Sequence, residues 1–378
     1  MASNGKTLEE QLRSVKLKKS SKPQKDFSSP KTAGYISQEE IEAYQTSVLD
    51  VNTEEWLDLV KDFTFPSCYE TLNVEDAKLF VDIYKRLYAN LEPSAIASIH
   101  WKENLSEEER AKMVSMSSRL QKKIDAFLID HGAKFAFVKL SSRSPKDAPM
   151  AQRFKEIYSE LISKEELSNE NQVSVENAQI TCLLKAAFQS LKMKSADDVI
   201  DMCVRSERVY QDLLLALALP DRFRENWVIR QFVDIDVDME FRGFVHQKRL
   251  TALSQYNYLI FSQRLADNRD FYLHSITEFF EVKIKPKLAR FVNDYIIDFA
   301  MCEAGTKVWV IEINPFLTTT DSALFSWEHE RDILEGAKAE VVFRVVEKPR
   351  PGAKAMLPSG MRDLIQQCEI DQQKLPQL

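Results

Sequence analysis

Two carboxylates and an amide in the C-terminal third of the chain have types and spacing that could do chemistry. Asp298 lies in "YIIDFAMC", and Glu312 and Asn314 lie in "KVWVIEINPF". Both stretches read as apolar strands, and residues two apart on a strand share a face. Hard oxygen donors gathered this way suit Mg2+, which takes one or two carboxylates and completes its shell with phosphate oxygens. Basic groups stand on other strand-like stretches: Lys139 in "FAFVKLSS", Arg230 in "WVIRQFV" and Arg242 in "MEFRGFV". A charge on a short apolar strand is costly without a partner, and phosphate would be a suitable one. Glu240 shares the Arg242 face, and the polar loop "RSPKDAP" adds Ser144, Lys146 and Asp147. Each residue alone reads as a surface charge or a local ion pair. Together they pair basic groups for phosphate with acidic groups for metal.

The segment "YIIDFAMCEAGTKVWVIEINPF" reads as one hairpin. With Gly305 closing a three-residue loop in left-handed geometry, Cys302 pairs with Thr306 and Asp298 lies opposite Val310. Glu312 is then a diagonal neighbour of Asp298 on one face, with Asn314 next in the row. A two-residue loop would instead separate the carboxylates, because a one-residue slip inverts the alternation. On the shared face the carboxylates repel, and one should stay protonated unless a cation neutralises them.

These strands need a scaffold. The chain has 378 residues, a formal charge of −7 and 44% hydrophobic residues, enough for two compact lobes. Residues 1–35 are Lys-, Ser- and Pro-rich and are expected to be disordered. Residues 36–225 are mostly helical in pattern, interrupted by the strand around Lys139. Residues 226–348 turn strand-like, with a helix in "DFYLHSITEFFEVKIKPKL" that should end before Pro286, and 349–378 read as a peripheral segment. The fold class is α+β, a helix-rich first lobe and an antiparallel sheet in the second. The five cysteines form no CxxC pair, which argues against structural zinc. No apolar run approaches a membrane span and the N-terminus lacks a signal-peptide core, so a cytoplasmic protein without membrane contact is expected. The mild acidity argues against direct nucleic-acid binding. With 8 glycines in the chain and neither GxGxxG nor a Walker loop, any nucleotide site works without the common glycine-rich loops.

The strand ending in acid-x-Asn-Pro resembles the metal-binding end of an ATP-grasp fold, and the chain is similar to the cell division cycle protein 123 family over about residues 50–365. The matching words, in order, are "FVKLSSRSPKDA", "VIRQFVDIDVDMEFRGFV", "ALSQYNY", "YIIDFAM", "VWVIEINPF", "TDSALFSWEH" and "MLPSGMRDL". The resemblance implies an ATP-grasp-like fold with Mg-ATP between the lobes. Lys139 would contact phosphate, Gln231, Phe232 and Val233 would form the hinge beside adenine, Glu240 would hold the ribose, and Arg242 would face the phosphates. Asp298, Glu312 and Asn314 would bind magnesium. It also implies an assembly chaperone for eukaryotic translation initiation factor 2 that binds the gamma subunit. Glu312 stands where the family usually has Asp, and Tyr256-Asn257 where it has Arg-Asp, the pattern of a divergent paralogue. An ATP-grasp ligase or kinase with an unknown acceptor is an alternative reading.

The N-terminal "LEEQLRSVKLKKS" resembles the actin-binding WH2 motif. Leu8, Leu12 and Val15 would form the apolar helix face, and Leu17, Lys18 and Lys19 the basic element, giving monomeric actin as a candidate partner. A basic disordered tail is the competing reading.

Overall fold

The structure, a computed structural model, describes residues 38–366 apart from 90, 92–98, 149–150, 166–170, 358–360 and 364. The WH2-like residues therefore lie outside the described residues.

Strands β1 (Ser67–Thr71), β2 (Ala136–Leu140) and β3 (Asn226–Gln231) form a three-stranded antiparallel sheet in the order β1-β3-β2. Helices Val74–Leu87, Glu107–Asp130, Ala196–Arg205 and Glu207–Ala218 cover it. Local sequence sets their ends. Asn73 accepts from the Asp76 amide, and Ser106 with Glu109 forms a reciprocal capping box. Gly132, with φ +57°, stops the long helix in the left-handed region that Cβ-bearing residues avoid.

The second sheet has five strands in the order β7-β6-β4-β5-β8: β4 (Glu240–His246), β5 (Arg249–Gln255), β6 (Tyr295–Cys302), β7 (Lys307–Pro315) and β8 (Val342–Arg344). All neighbours run antiparallel except β5 and β8. Helix Arg269–Phe279, continued by a π turn over Phe280–Ile284, packs on one face against Phe241, Ile297, Phe299 and Val310. The helical run thus ends before Pro286, as expected. Gly243 on β4 allows this packing, since a Cβ there would meet Leu250 at 2.9 Å and Phe299 at 3.0 Å. The opposite face carries a smaller apolar cluster of Phe244, Ala252, Ile296, Phe325 and Leu334, and Glu240, Arg242 and Asp298 share that face.

The α+β class is the one observed. Two expectations are corrected. β3 belongs to the first sheet, so the change of lobe falls after Gln231 and not at residue 225. Segment 51–65 also crosses over: Val51, Trp56, Leu57 and Val60 join the core of the second sheet, and Thr64 bridges Val310. Among the described residues no helix is long and apolar enough to cross a membrane.

Candidate functional site

The hairpin β6–β7 differs from its expected register in two compensating ways. The loop is four residues long, Glu303 to Thr306, because Glu303 as well as Gly305 takes positive φ (+51° and +91°), so Cys302 pairs with Lys307 and not with Thr306. Alone, this shift would put Asp298 opposite Ile311 and turn Glu312 to the other face. A bulge corrects it. Phe299 pairs with Val310, Asp298 with Glu312 and Ile296 with Asn314, leaving Ile311 as the extra residue. Asp298, Glu312 and Asn314 share a face, and the two carboxylates are direct cross-strand neighbours.

Each carboxylate has its own cation. Arg242, opposite Asp298 on β4, donates from Nε to Oδ1 at 2.9 Å and from Nη2 to Oδ2 at 2.8 Å. Its Nη1 donates to the Asp321 carbonyl at 2.7 Å, and its guanidinium lies over the Tyr256 ring, 4.8 Å from the centroid. Asn314 Nδ2 donates to Asp298 Oδ2 at 3.2 Å. Lys139 reaches across from β2 and donates to Glu312 Oε1 at 2.5 Å, so this pair joins the two sheets. Asp298 is 2% exposed and Lys139 3%, depths at which an unpaired charge is not tolerated. Burial pushes the Glu312 carboxyl up, but Lys139, Lys146 and Arg143 outweigh it and hold the group well below the usual carboxylate range. The expected shared proton is therefore not needed at Glu312, because lysine and arginine supply the neutralising charge. Against its burial, Asp298 holds the Arg242 guanidinium above its ordinary value.

Around these pairs lies a cavity of about 390 Å³ between the lobes, within the range of small-molecule sites. Lys139, Arg143, Lys146, Arg208 and Arg242 line it, against the carboxylates of Glu312 and Asp321. Arg143 is held by Asp212 through Nε at 2.9 Å and Nη2 at 3.1 Å, a pairing that raises it above its ordinary value. Lys146 and Arg208 form no ion pair among the described residues. The Ser144 hydroxyl lines the same wall, buried and without a hydrogen-bond partner. The positive excess and the unused donor suit a polyanion.

Lys146 also lines an adjoining slot. Gln231, Phe232 and Val233 form one side of it, with Phe65, Phe137, Phe188 and Ile311 around them and Glu240 at its edge. At about 60 Å³, it admits a flat ring only if its walls part. Burial, opposed by Lys146 and helped by Asp298, raises the Glu240 carboxyl to about 7. Arg230 lines this slot too, but its guanidinium is committed elsewhere, donating to the Ile311 carbonyl and to Thr64 Oγ1, both at 2.6 Å. Burial pulls it down to about 10, which leaves it charged at neutral pH.

The cavity and slot thus gather Lys139, Ser144, Lys146, Gln231, Phe232, Val233, Glu240, Arg242, Glu312 and Asn314, with Asp298 behind Arg242. Asp147 is not among them. It accepts from Ser206 Oγ at 2.5 Å and from the Arg208 amide at 3.2 Å, fixing the start of helix Glu207–Ala218. Arg242 is engaged by Asp298, where a phosphate contact was expected. Sequence reasoning missed Arg143, Arg208 and Asp321, and met Tyr256 only as a departure from the family pattern. Arg143 and Asp321 lie inside matching words and could have been singled out; Arg208 carries no local signal.

The donor set for a cation is two carboxylates and an amide. Among the described residues no group of three or more His, Cys, Asp or Glu side chains is arranged to hold a metal. The residues still fit Mg2+ bound with phosphate oxygens, which needs one or two protein carboxylates.

Comparison with known proteins gives a consistent placement. The D123 family model matches residues 184–363. A Xenopus laevis protein named translation initiation factor eIF2 assembly protein is 28% identical over 198 residues, 47% of this chain and 58% of that one. The Schizosaccharomyces pombe protein of the same name is 32% identical over 167 residues, 40% of this chain and 49% of that one. The chain spans about half the length of these curated relatives. In fold, the structure of Cdc123 from Schizosaccharomyces pombe matches with a TM-score of 0.52 at 20% identity, covering 80% of this chain and 98% of that one. The family match begins in helix Gln172–Gln189 and takes in β3 and the whole second sheet, so the chain is similar to the D123 family over its C-terminal half.

Proposed function

We propose that the chain binds Mg-ATP between its two sheets and serves as a cytoplasmic assembly factor for eukaryotic translation initiation factor 2, acting on the gamma subunit. The observation that carries the nucleotide reading is the cavity where cationic side chains of both lobes converge beside the Asp298–Glu312 pair. The client reading rests on the name that its relatives carry. Lys139, Lys146 and Arg208 would hold phosphate oxygens, and Ser144 would donate to them. Gln231, Phe232 and Val233 would flank the base, and Glu240 would accept from the ribose. Asp298, Glu312 and Asn314 would hold Mg2+, which when bound neutralises phosphate charge and orients the triphosphate.

Burial of Lys139 and Arg242 as ion pairs prepares the site. Their carboxylate partners hold both side chains in place without ligand, and a phosphate can take over a cation that leaves its carboxylate to a metal. Glu240 gives the site a pH dependence. Its carboxyl titrates at about 7, and only the carboxylate accepts hydrogen bonds at both oxygens. Nucleotide affinity should therefore rise from about pH 6 to about pH 8 as this group ionises. Titrating wild type and Glu240→Gln side by side separates this from ionisation of the nucleotide. The variant should lose the part of the slope that Glu240 supplies, and identical slopes would remove Glu240 from the site.

The client reading is tested by capturing the tagged full chain from a gently prepared eukaryotic lysate with ATP and Mg2+ present. The gamma subunit should co-purify. Its absence alongside well-folded chain would count against this client. One observation favours a second reading, a ligase or kinase. A hollow of about 160 Å³ lined by Leu184, Tyr258 and Leu259 shares Arg242, Tyr256 and Asp321 with the main cavity, leaving room for an acceptor. ADP release that depends on an added small molecule or peptide would favour that reading.

A further inference from the structure

The face on which Glu312 and Asn314 stand depends on one extra residue in β7. Pairs from Cys302↔Lys307 to Phe299↔Val310 follow one register, and pairs from Asp298↔Glu312 to Tyr295↔Pro315 follow another, one residue displaced. Without the bulge at Ile311, Glu312 would stand beside Ile297 on the face that packs against the helix, and its carboxylate would leave Asp298. Bulges are commonly helped by glycine in the left-handed region. Here the extra residue is a β-branched isoleucine, and it is not among the positive-φ residues. The bulge is held from outside its own sheet.

The holding groups come from the first lobe. Arg230 on β3, 3% exposed, donates from Nη1 to the Ile311 carbonyl at 2.6 Å. Its Nη2 donates to Thr64 Oγ1 at 2.6 Å, and that hydroxyl donates in turn to the Val310 carbonyl at 2.7 Å. The two consecutive carbonyls at the register change, Val310 and Ile311, are thus both tied to one buried guanidinium, directly or through Thr64. The Phe65 ring lies beneath the guanidinium, 5.5 Å from centroid to Cζ. A charged donor in so dry a setting makes strong hydrogen bonds and has few alternatives. The next residue along β3 is Gln231, in the slot wall.

We propose that Arg230 is a positioning residue that holds the β7 bulge and so keeps Glu312 and Asn314 on the Asp298 face, linking the slot to the candidate metal donors. This rests on the Mg-ATP reading of the site. Arg230 touches neither carboxylate. It acts through the backbone of Ile311.

The test compares wild type, Arg230→Met and Arg230→Lys, each as the full chain, by calorimetric titration of ATP with excess Mg2+ and again with EDTA. The quantity read is the gain in affinity that Mg2+ confers, which a general loss of packing would not change selectively. Arg230→Met should cut that gain by about 10- to 100-fold, the scale on which groups behind metal ligands tune a site. Arg230→Lys, with one cationic donor left, should fall between. Hydrogen exchange over residues 310–314 should quicken in both variants. Should Arg230→Met fold poorly, Arg230→Lys carries the test by the same two readouts. A Mg2+ gain equal to wild type in a folded variant would overturn the proposal and leave the Mg-ATP reading standing. No Mg2+-dependent binding by wild type would sink that reading instead. Exchange over 310–314 would then decide the latch alone, with unchanged protection overturning it.

Discussion

Lys139→Met is expected to weaken Mg-ATP binding by roughly 10- to 100-fold, since a hydrogen bond to a charged group contributes about 1.5–3 kcal/mol. Two losses combine. The substitution removes the cation that would meet phosphate, and it leaves Glu312 without its partner across the lobes. Burial then pushes the Glu312 carboxyl up against Lys146 and Arg143 alone. The side chain of Glu312 is 22% exposed, so water tempers the cost to stability. Titration of the variant should show the affinity loss while its melting temperature falls only modestly. An affinity within about twofold of wild type would mean that this lysine serves only to join the sheets.

Arg242→Met should have the opposite balance, with stability the larger effect. Asp298 is buried under Arg242, and both of its oxygens accept from the guanidinium. Removing one partner of a buried pair leaves an uncompensated charge and costs about 3–5 kcal/mol. Thermal unfolding should report a fall of several degrees or more. The double variant Arg242→Met, Asp298→Leu should recover much of that loss, because apolar replacement of both partners is often close to neutral. It should still fail to bind Mg-ATP. A double variant as unstable as the single one would mean that Arg242 stabilises mainly through the Asp321 carbonyl and the Tyr256 ring. Restored binding would remove Asp298 from the metal site.

Much of this site is legible in the sequence because strand alternation is. "MEFRGFV" puts Glu240 and Arg242 on one face, and β4 pairs Arg242 with Asp298 as that pattern requires. The isolated lysine in "FAFVKLSS" points to a partner, and Glu312 is one. The register of β6 and β7 is less legible. A positive φ at Glu303 lengthens the loop, and a bulge at an isoleucine undoes the slip, and neither leaves a residue signature. Long-range bonds are equally silent. Nothing near Asp147 announces that Ser206 and the Arg208 amide will claim it. Arg230 reads as a phosphate ligand until Ile311 and Thr64 take its donors.

The most direct test of the account is calorimetric titration of Mg-ATP into the full chain and into Asp298→Asn, with EDTA controls. Wild type should bind saturably, with affinity that weakens sharply when Mg2+ is removed and weakens comparably in Asp298→Asn with Mg2+ present. Well-folded wild type that takes up no Mg-ATP, or an Asp298→Asn variant that binds as tightly as wild type, would contradict the Mg-ATP reading.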